Sequence, residues 1–167
     1  MLIMVGEDIN EESVEILARS EDGKSFEPKQ LSLSNAVEEC LMQTVGTIST
    51  RGSNPLWHFM YAMTGKCYAF TNLEKHSNLN CAALRAKIGA YVRKRMSQYQ
   101  ANDKLEDKHD ILTLFLQSPD IFTEEVIIDE LCDFLIAGTQ TTYLTTQTVL
   151  SHFALDPQSV SRVRKEF

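Results

Sequence analysis

Apolar residues along this chain recur mostly at three- and four-residue intervals, the spacing of helices that bury one face. Asn10 is placed to cap a first helix, with Glu11 and Glu12 at its positive end and Val14, Ile16, Leu17 and Ala18 on its apolar face. Glu21-Asp22-Gly23-Lys24 marks a turn, and Phe26-Glu27-Pro28 continues the loop. Ser32 or Ser34 caps a second helix with Ala36, Val37, Cys40, Leu41, Thr44 and Val45 on one face and Gly46 near its end. Arg51-Gly52-Ser53-Asn54-Pro55 is a break. An aromatic patch follows, Trp57, Phe59, Tyr61, Tyr68 and Phe70, interrupted by Gly65, and reads as core or pocket wall.

From 73 to 100 the helical spacing returns. Cys81, Leu84, Ile88, Val92, Met96 and Tyr99 share one face, and Lys87, Arg93, Lys94 and Arg95 are expected to cover the solvated one. A charged linker over 102–110 leads into a short helix that opens at Asp110, runs through Ile111, Leu112, Leu114, Phe115 and Leu116, and ends before Ser118-Pro119. Thr123 caps a long central helix over 123–155, with Glu124 and Glu125 in its first turn. At 1.5 Å per residue that helix is roughly 50 Å long. Asp156-Pro157 then starts a following helix over 156–167 with a cap residue and a proline at the first helical position. The prediction is an all-α chain.

The long helix holds the one unusual run of residues. Ala137-Gly138-Thr139-Gln140-Thr141-Thr142 sits inside an apolar segment, and no Lys or Arg occurs from His109 through Ser161. Glycine costs about 1 kcal/mol in a helix interior relative to alanine, and threonine loses side-chain freedom there. Ala137 and Gly138 leave a backbone surface that a flat molecule can approach closely. Thr141 lies one turn on from Ala137, so its hydroxyl can share that side, or bond back to the carbonyl four residues earlier and loosen the ladder. A helix apolar around so much of its girth should lie inside a larger protein. A close helix–helix contact is the chemistry-free reading of the same run.

Composition narrows the function classes. With 43% hydrophobic and 23% charged residues, the chain belongs to the globular class. A formal net charge of −7 argues against a nucleic-acid partner, which needs a basic face. Cys40, Cys67, Cys81 and Cys132 form no CxxC pair and have no histidine at zinc spacing, so they read as reduced thiols of an intracellular protein. His58, His76, His109 and His152 share no ligand spacing, and no metal site is expected. There is no Gly-x-Ser-x-Gly, no phosphate-cradling glycine loop and no His-Glu-x-x-His. The apolar start, Met1-Leu2-Ile3-Met4-Val5, is too short to span a bilayer or act as a signal peptide, and no transmembrane segment is expected. Taken alone, the polypeptide should be soluble or loosely membrane-associated.

Ala137 to Thr142 resembles the oxygen-binding motif of the cytochrome P450 family, Ala/Gly-Gly-x-Asp/Glu-Thr-Thr/Ser, at five of six positions. Lys108-His109-Asp110-Ile111-Leu112 is similar to the family's basic-Asp-Ile/Leu-Leu stretch before the central helix, and Asp156-Pro157-Gln158 to the opening of the helix after it. The specific match covers residues 107–167; residues before Trp57 fit generically, and the path from Val45 to Trp57 looks short by one family helix. The resemblance implies a mainly helical cytochrome P450 fold, here one partial domain over 1–167, and a haem cofactor. It implies a monooxygenase that inserts one oxygen atom from O2 into a small apolar substrate, with electrons from an NADPH-dependent reductase. Ala137, Gly138, Thr141 and Thr142 would border the cofactor. Thr141 would hydrogen-bond the iron-bound oxygen species and help deliver protons, assisted by Gln140, which replaces the family's acid and can hold a water without ionising. The helix over 73–100 would roof the substrate pocket. Some of the aromatic patch would touch substrate or lipid, and Arg93-Lys94-Arg95 could present a reductase-facing or membrane-facing surface. A eukaryotic full-length parent would sit on the endoplasmic reticulum membrane.

The family's iron ligand is a cysteine thiolate in a Phe-x-x-Gly-x-x-x-Cys-x-Gly loop. None of the four cysteines is followed two residues later by glycine, and the family's Glu-x-x-Arg pair is also absent from the 167 residues. The sequence therefore predicts a truncated or inactive piece that lacks the haem-ligand half. The alternative is a non-catalytic helical remnant or interaction module; a helical hydrolase or transferase built around Thr141 is a third reading.

Overall fold

The computed structural model describes residues 12–20, 22–23, 25–101 and 110–166, the side chains of Thr139 and Gln140 excepted. The first element among the described residues is an antiparallel hairpin, β1 (Ser13–Arg19) and β2 (Phe26–Ser32), in the register Val14 to Leu31, Ile16 to Lys29 and Ala18 to Glu27. Six helices follow among the described residues: α1 (Leu33–Ser53), α2 (Pro55–Thr64), α3 (Asn72–Ala101), α4 (Ile111–Leu116), α5 (Glu124–Leu155) and α6 (Pro157–Glu166). Among the described residues the fold is mainly helical, as the sequence predicts, with one small sheet that corrects a single segment.

The correction falls on the segment assigned to a first helix. Val14, Leu17 and Ala18 fit a helical face, but Val14, Ile16 and Ala18 also alternate, and it is this second set that is buried. A seven-residue run is short enough to satisfy both periods, and pairing with β2 selects the strand. Pro28 fits because a two-stranded sheet consists of edges. Asn10, Glu11, Glu21, Lys24 and the linker over 102–109 lie outside the described residues.

The outer edge of β1 is finished by side chains. Leu17 N–H donates to Asn80 Oδ1 (2.7 Å), and Leu17 carbonyl accepts from Asn80 Nδ2 (2.8 Å) and Gln43 Nε2 (2.7 Å). A primary amide presents the same donor and acceptor as a peptide group, so Asn80 extends the ladder from α3.

In α1, Leu33, Ala36, Val37, Cys40, Gln43 and Thr47 face inward, while Val45, expected on that face, is 52% exposed. Gly46 does not end the helix, which continues to Ser53. A Cβ at Gly46 would stand 3.3 Å from Leu73 Cδ2, so this position serves the close passage of α1 past the start of α3. The break predicted over 51–55 narrows to Asn54, because Arg51, Gly52 and Ser53 continue α1; Asn54 caps α2 by accepting from Leu56 N–H (3.0 Å), and Pro55 takes the first helical position. Gly65 ends α2 in the left-handed conformation at φ 64°.

The buried face of α3 carries Glu74, Ser77, Asn80, Leu84, Ile88, Val92 and Arg95. Arg95 was expected on the solvated side with Arg93 and Lys94. Instead it is 2% exposed and its Nη2 lies 2.7 Å from Oδ2 of Asp110, itself 3% exposed. Oδ1 of Asp110 accepts from Thr113 N–H at 2.7 Å and caps α4, as the sequence implied. At the other end of α3, Thr71-Asn72-Leu73-Glu74 forms a capping box. Glu74 N–H donates to Thr71 Oγ1 (3.2 Å), and Thr71 N–H donates back to Glu74 Oε2 (2.8 Å).

Between these polar ends lies the core. Val14 and Ile16 of the hairpin, Val37 and Cys40 of α1, Leu84, Ile88 and Val92 of α3, Leu112 of α4, and Ile127, Leu131 and Leu135 of α5 pack together. Thr123 caps α5 by accepting from Val126 N–H, and the helix runs to Leu155 as predicted. Only its first three turns are buried.

Candidate functional site

The run over 137–142 begins where α5 leaves the core. Ile128, Leu131 and Leu135 are buried at 4%, 1% and 4% exposure, and by helical spacing the same stripe continues through Gly138 and Thr142. Both of these are exposed, as are Ala137 and Thr141 on the adjoining stripe. Large apolar side chains thus give way, along one continuous face, to a methyl group, a hydrogen and two hydroxyls. A Cβ built on Gly138 meets no atom within 4 Å among the described residues. The Gln140 side chain, assigned a role from sequence, lies outside the described residues.

Thr141 Oγ1 donates to the carbonyl of Ala137, the back-bond anticipated from sequence. Thr148 repeats it one level on, with Oγ1 2.8 Å from the carbonyl of Leu144. The helix absorbs these bonds without a break, and no non-glycine residue among those described has positive φ. With its proton held by Ala137, the Thr141 hydroxyl keeps outward lone pairs and can accept a further hydrogen bond.

Tyr143 and Leu144 form one wall of a cleft of about 380 Å³ whose other wall is Ser34, Asn35, Val37, Glu38 and Leu41 of α1. By spacing, Leu144 continues the stripe of Ala137 and Thr141. Beyond it, Tyr143, Leu150 and Leu155 are 63%, 61% and 86% exposed, so the apolar girth read from sequence is present and half of it faces outward.

Comparison with protein families matches the profile described as Cytochrome P450 to residues 25–167. The chain belongs to the cytochrome P450 family. Comparisons with curated proteins and with solved structures give no match. The cytochrome P450 match reaches back through β2, α1 and the aromatic patch, well upstream of 107, where the motif resemblance becomes specific. The stretch from Val45 to Trp57 is helical on both sides of Asn54, and it lies inside the match.

Cytochrome P450 membership implies haem. The open, small-residue face of α5 fits a flat ring, but the thiols do not fit an iron ligand. Burial pushes the Cys40 thiol up from 9.0 to about 12, with Cys81 and Glu39 adding to the effect. Burial likewise carries Cys132 to about 11, against the opposing pull of Arg85. The ligand form is the thiolate, which both sites disfavour. Cys67 and Cys81 are exposed on α3 or before it, and neither stands in the family's loop. No group of three or more His, Cys, Asp or Glu that could hold a metal occurs among the described residues. Among the described residues, α5 offers an open small-residue face and no cysteine stands in a loop of the family's ligand type. No described helix is long and apolar enough to cross a membrane.

The sequence reading missed two sets of polar residues. The capping box at Thr71 and Glu74 has a plain signature, Thr-x-x-Glu ahead of an apolar-periodic run. The burial of Arg95 was also accessible, since it stands three residues after Val92 and seven after Ile88.

Proposed function

We propose that this chain forms the oxygen-side part of a cytochrome P450 monooxygenase, one partial domain in which α5 presents Ala137, Gly138, Thr141 and Thr142 to the haem. The observation that carries this reading is the change along one face of α5, from buried Leu131 and Leu135 to an uncovered stripe of small and hydroxyl residues. Haem, when bound with its thiolate, supplies oxygen activation. This chain's share is to let the ring approach at Ala137 and Gly138, and to hold a hydrogen bond at Thr141 Oγ1. Gln140 replaces an acid, so a proton reaching Thr141 travels by water held at the amide rather than through an ionising side chain. The substrate is a small apolar molecule, the electrons come from an NADPH-dependent reductase, and a eukaryotic full-length parent works at the endoplasmic reticulum membrane. These 167 residues contain neither the cysteine loop nor Glu-x-x-Arg, so by themselves they offer the haem no thiolate of the family's kind.

The high pKa values of the Cys40 and Cys132 thiols favour a second reading, a helical module that does no oxygen chemistry by itself. Reduction of the haemin-treated chain under carbon monoxide tests the ligand assignment. The expected spectrum lacks the thiolate-type signature that names the family. A thiolate-type band lost on a Cys→Ser change at position 40, 67, 81 or 132 would overturn the assignment.

A further inference from the structure

The aromatic patch does not enter the core. Phe59 and Tyr61 are 61% and 58% exposed, and Trp57, Tyr61, Tyr68 and Phe70 instead wall a recess of about 350 Å³ between the end of α1, α2 and the segment 66–70. No residue of α5 lines it. Its walls are held from behind by one carboxylate. Oε1 of Glu74 accepts from Trp57 Nε1 (2.9 Å), and Oε2 accepts from Phe70 N–H (2.8 Å). The two rings meet edge to face with centroids 5.6 Å apart. A recess fixed in this way loses little freedom when a ligand enters.

The charges on the recess have one sign. Among the described residues Arg51 and Lys66 line it and no Asp or Glu does, although the chain has 23 acidic residues and a net charge of −7. Arg51 is committed to Glu74, with Nε 2.7 Å from Oε1. Lys66 has no carboxylate partner among the described residues. An aromatic hollow can hold a cation, but the Lys66 ammonium at its edge, unlike the neutralised Arg51, opposes that occupant. We infer that this recess is a second ligand site, separate from the α5 face, for an amphipathic monocarboxylate. Its apolar tail lies among Trp57, Tyr61 and Phe70, and its head meets the Lys66 ammonium. The volume lies near the lower end for small-molecule sites and suits a medium-length chain.

Trp57 is the only tryptophan in the chain and stands in the wall of the recess, so its fluorescence reports occupancy. The 167-residue chain is titrated with sodium decanoate below its micelle concentration, with 1-decanol and decyltrimethylammonium in parallel. The expected result is a saturable change with decanoate and much weaker responses to the neutral and cationic chains. Lys66→Ala should weaken decanoate by about fivefold, the upper worth of an exposed ion pair, and Lys66→Glu by more. Lys66 is exposed, so neither variant should disturb the fold. Cys67 also lines the recess and Cys81 does not, so decanoate should slow alkylation of Cys67 and leave Cys81 unprotected. Equal binding of the three chains would overturn the inference, as would failure of decanoate both to saturate the fluorescence and to protect Cys67. A response seen only with phosphatidylglycerol vesicles would overturn it in favour of a membrane contact.

Discussion

Arg95→Ala is expected to lower the stability of the chain by about 3–5 kcal/mol, because it leaves the buried Asp110 carboxylate without its counter-charge. The two side chains are 2% and 3% exposed and 2.7 Å apart, so water cannot replace the guanidinium without opening the contact between α3 and α4. Asp110→Ala should cost a similar amount, since it takes this buried carboxylate from Arg95 and also removes the cap that receives Thr113 N–H. The paired change Arg95→Met with Asp110→Leu should recover much of the loss, with the cap deficit remaining. Urea unfolding of the four proteins measures all of this. An Arg95→Ala protein within about 1 kcal/mol of the parent would show that the pair is solvated.

The second large effect is expected at Glu74, and it has a pH signature. Its side chain is fully buried, and burial by itself raises a carboxyl pKa. The Thr71 and Phe70 N–H groups, the Arg51 guanidinium and the Thr71 hydroxyl outweigh that and hold Glu74 down from 4.5 to about 2. The folded value is below the unfolded one, so the stabilisation is complete above about 4.5 and is lost as pH falls through the window to about 2. At roughly 1.4 kcal/mol per unit the loss is on the order of 3 kcal/mol. Glu74→Gln should flatten that part of the stability–pH curve. Glu74→Ala should cost about 3 kcal/mol near neutral pH, because it leaves the Trp57, Phe70 and Thr71 donors unpaired. Urea melts at neutral pH, 4.5 and 3 check both variants, and a parent curve as flat as that of Glu74→Gln would show that the carboxylate is not held as described.

Much of the helical order was legible because long segments have room for only one period. Thr123 with Glu124 and Glu125, and Asp156 with Pro157, mark the ends of α5 as plainly in sequence as in structure. The segment of β1 is too short for that, and its identity depends on Asn80 and on β2, which no local pattern reveals. Gly46 looked like a stop because glycine often ends helices, and its actual reason, Leu73 across the helix pair, is a tertiary contact. Charge was read as solvation at Arg95, where period carried more information than polarity. The candidate site was legible as a motif, since Ala137 to Thr142 is odd for any buried helix. That nothing described covers Gly138, and that the aromatic patch forms a recess rather than core, are facts of packing alone.

The central claim is that the stripe through Ala137, Gly138, Thr141 and Thr142 is a cofactor face. Its most direct test is paramagnetic line broadening of the chain's backbone amide signals on addition of haemin. The account predicts broadening centred on those four residues, abolished in Gly138→Leu, whose side chain enters open space without disturbing α5 but blocks approach of a flat ring. Broadening centred elsewhere, on the Trp57 recess for example, or none at all at 137–142, would contradict it.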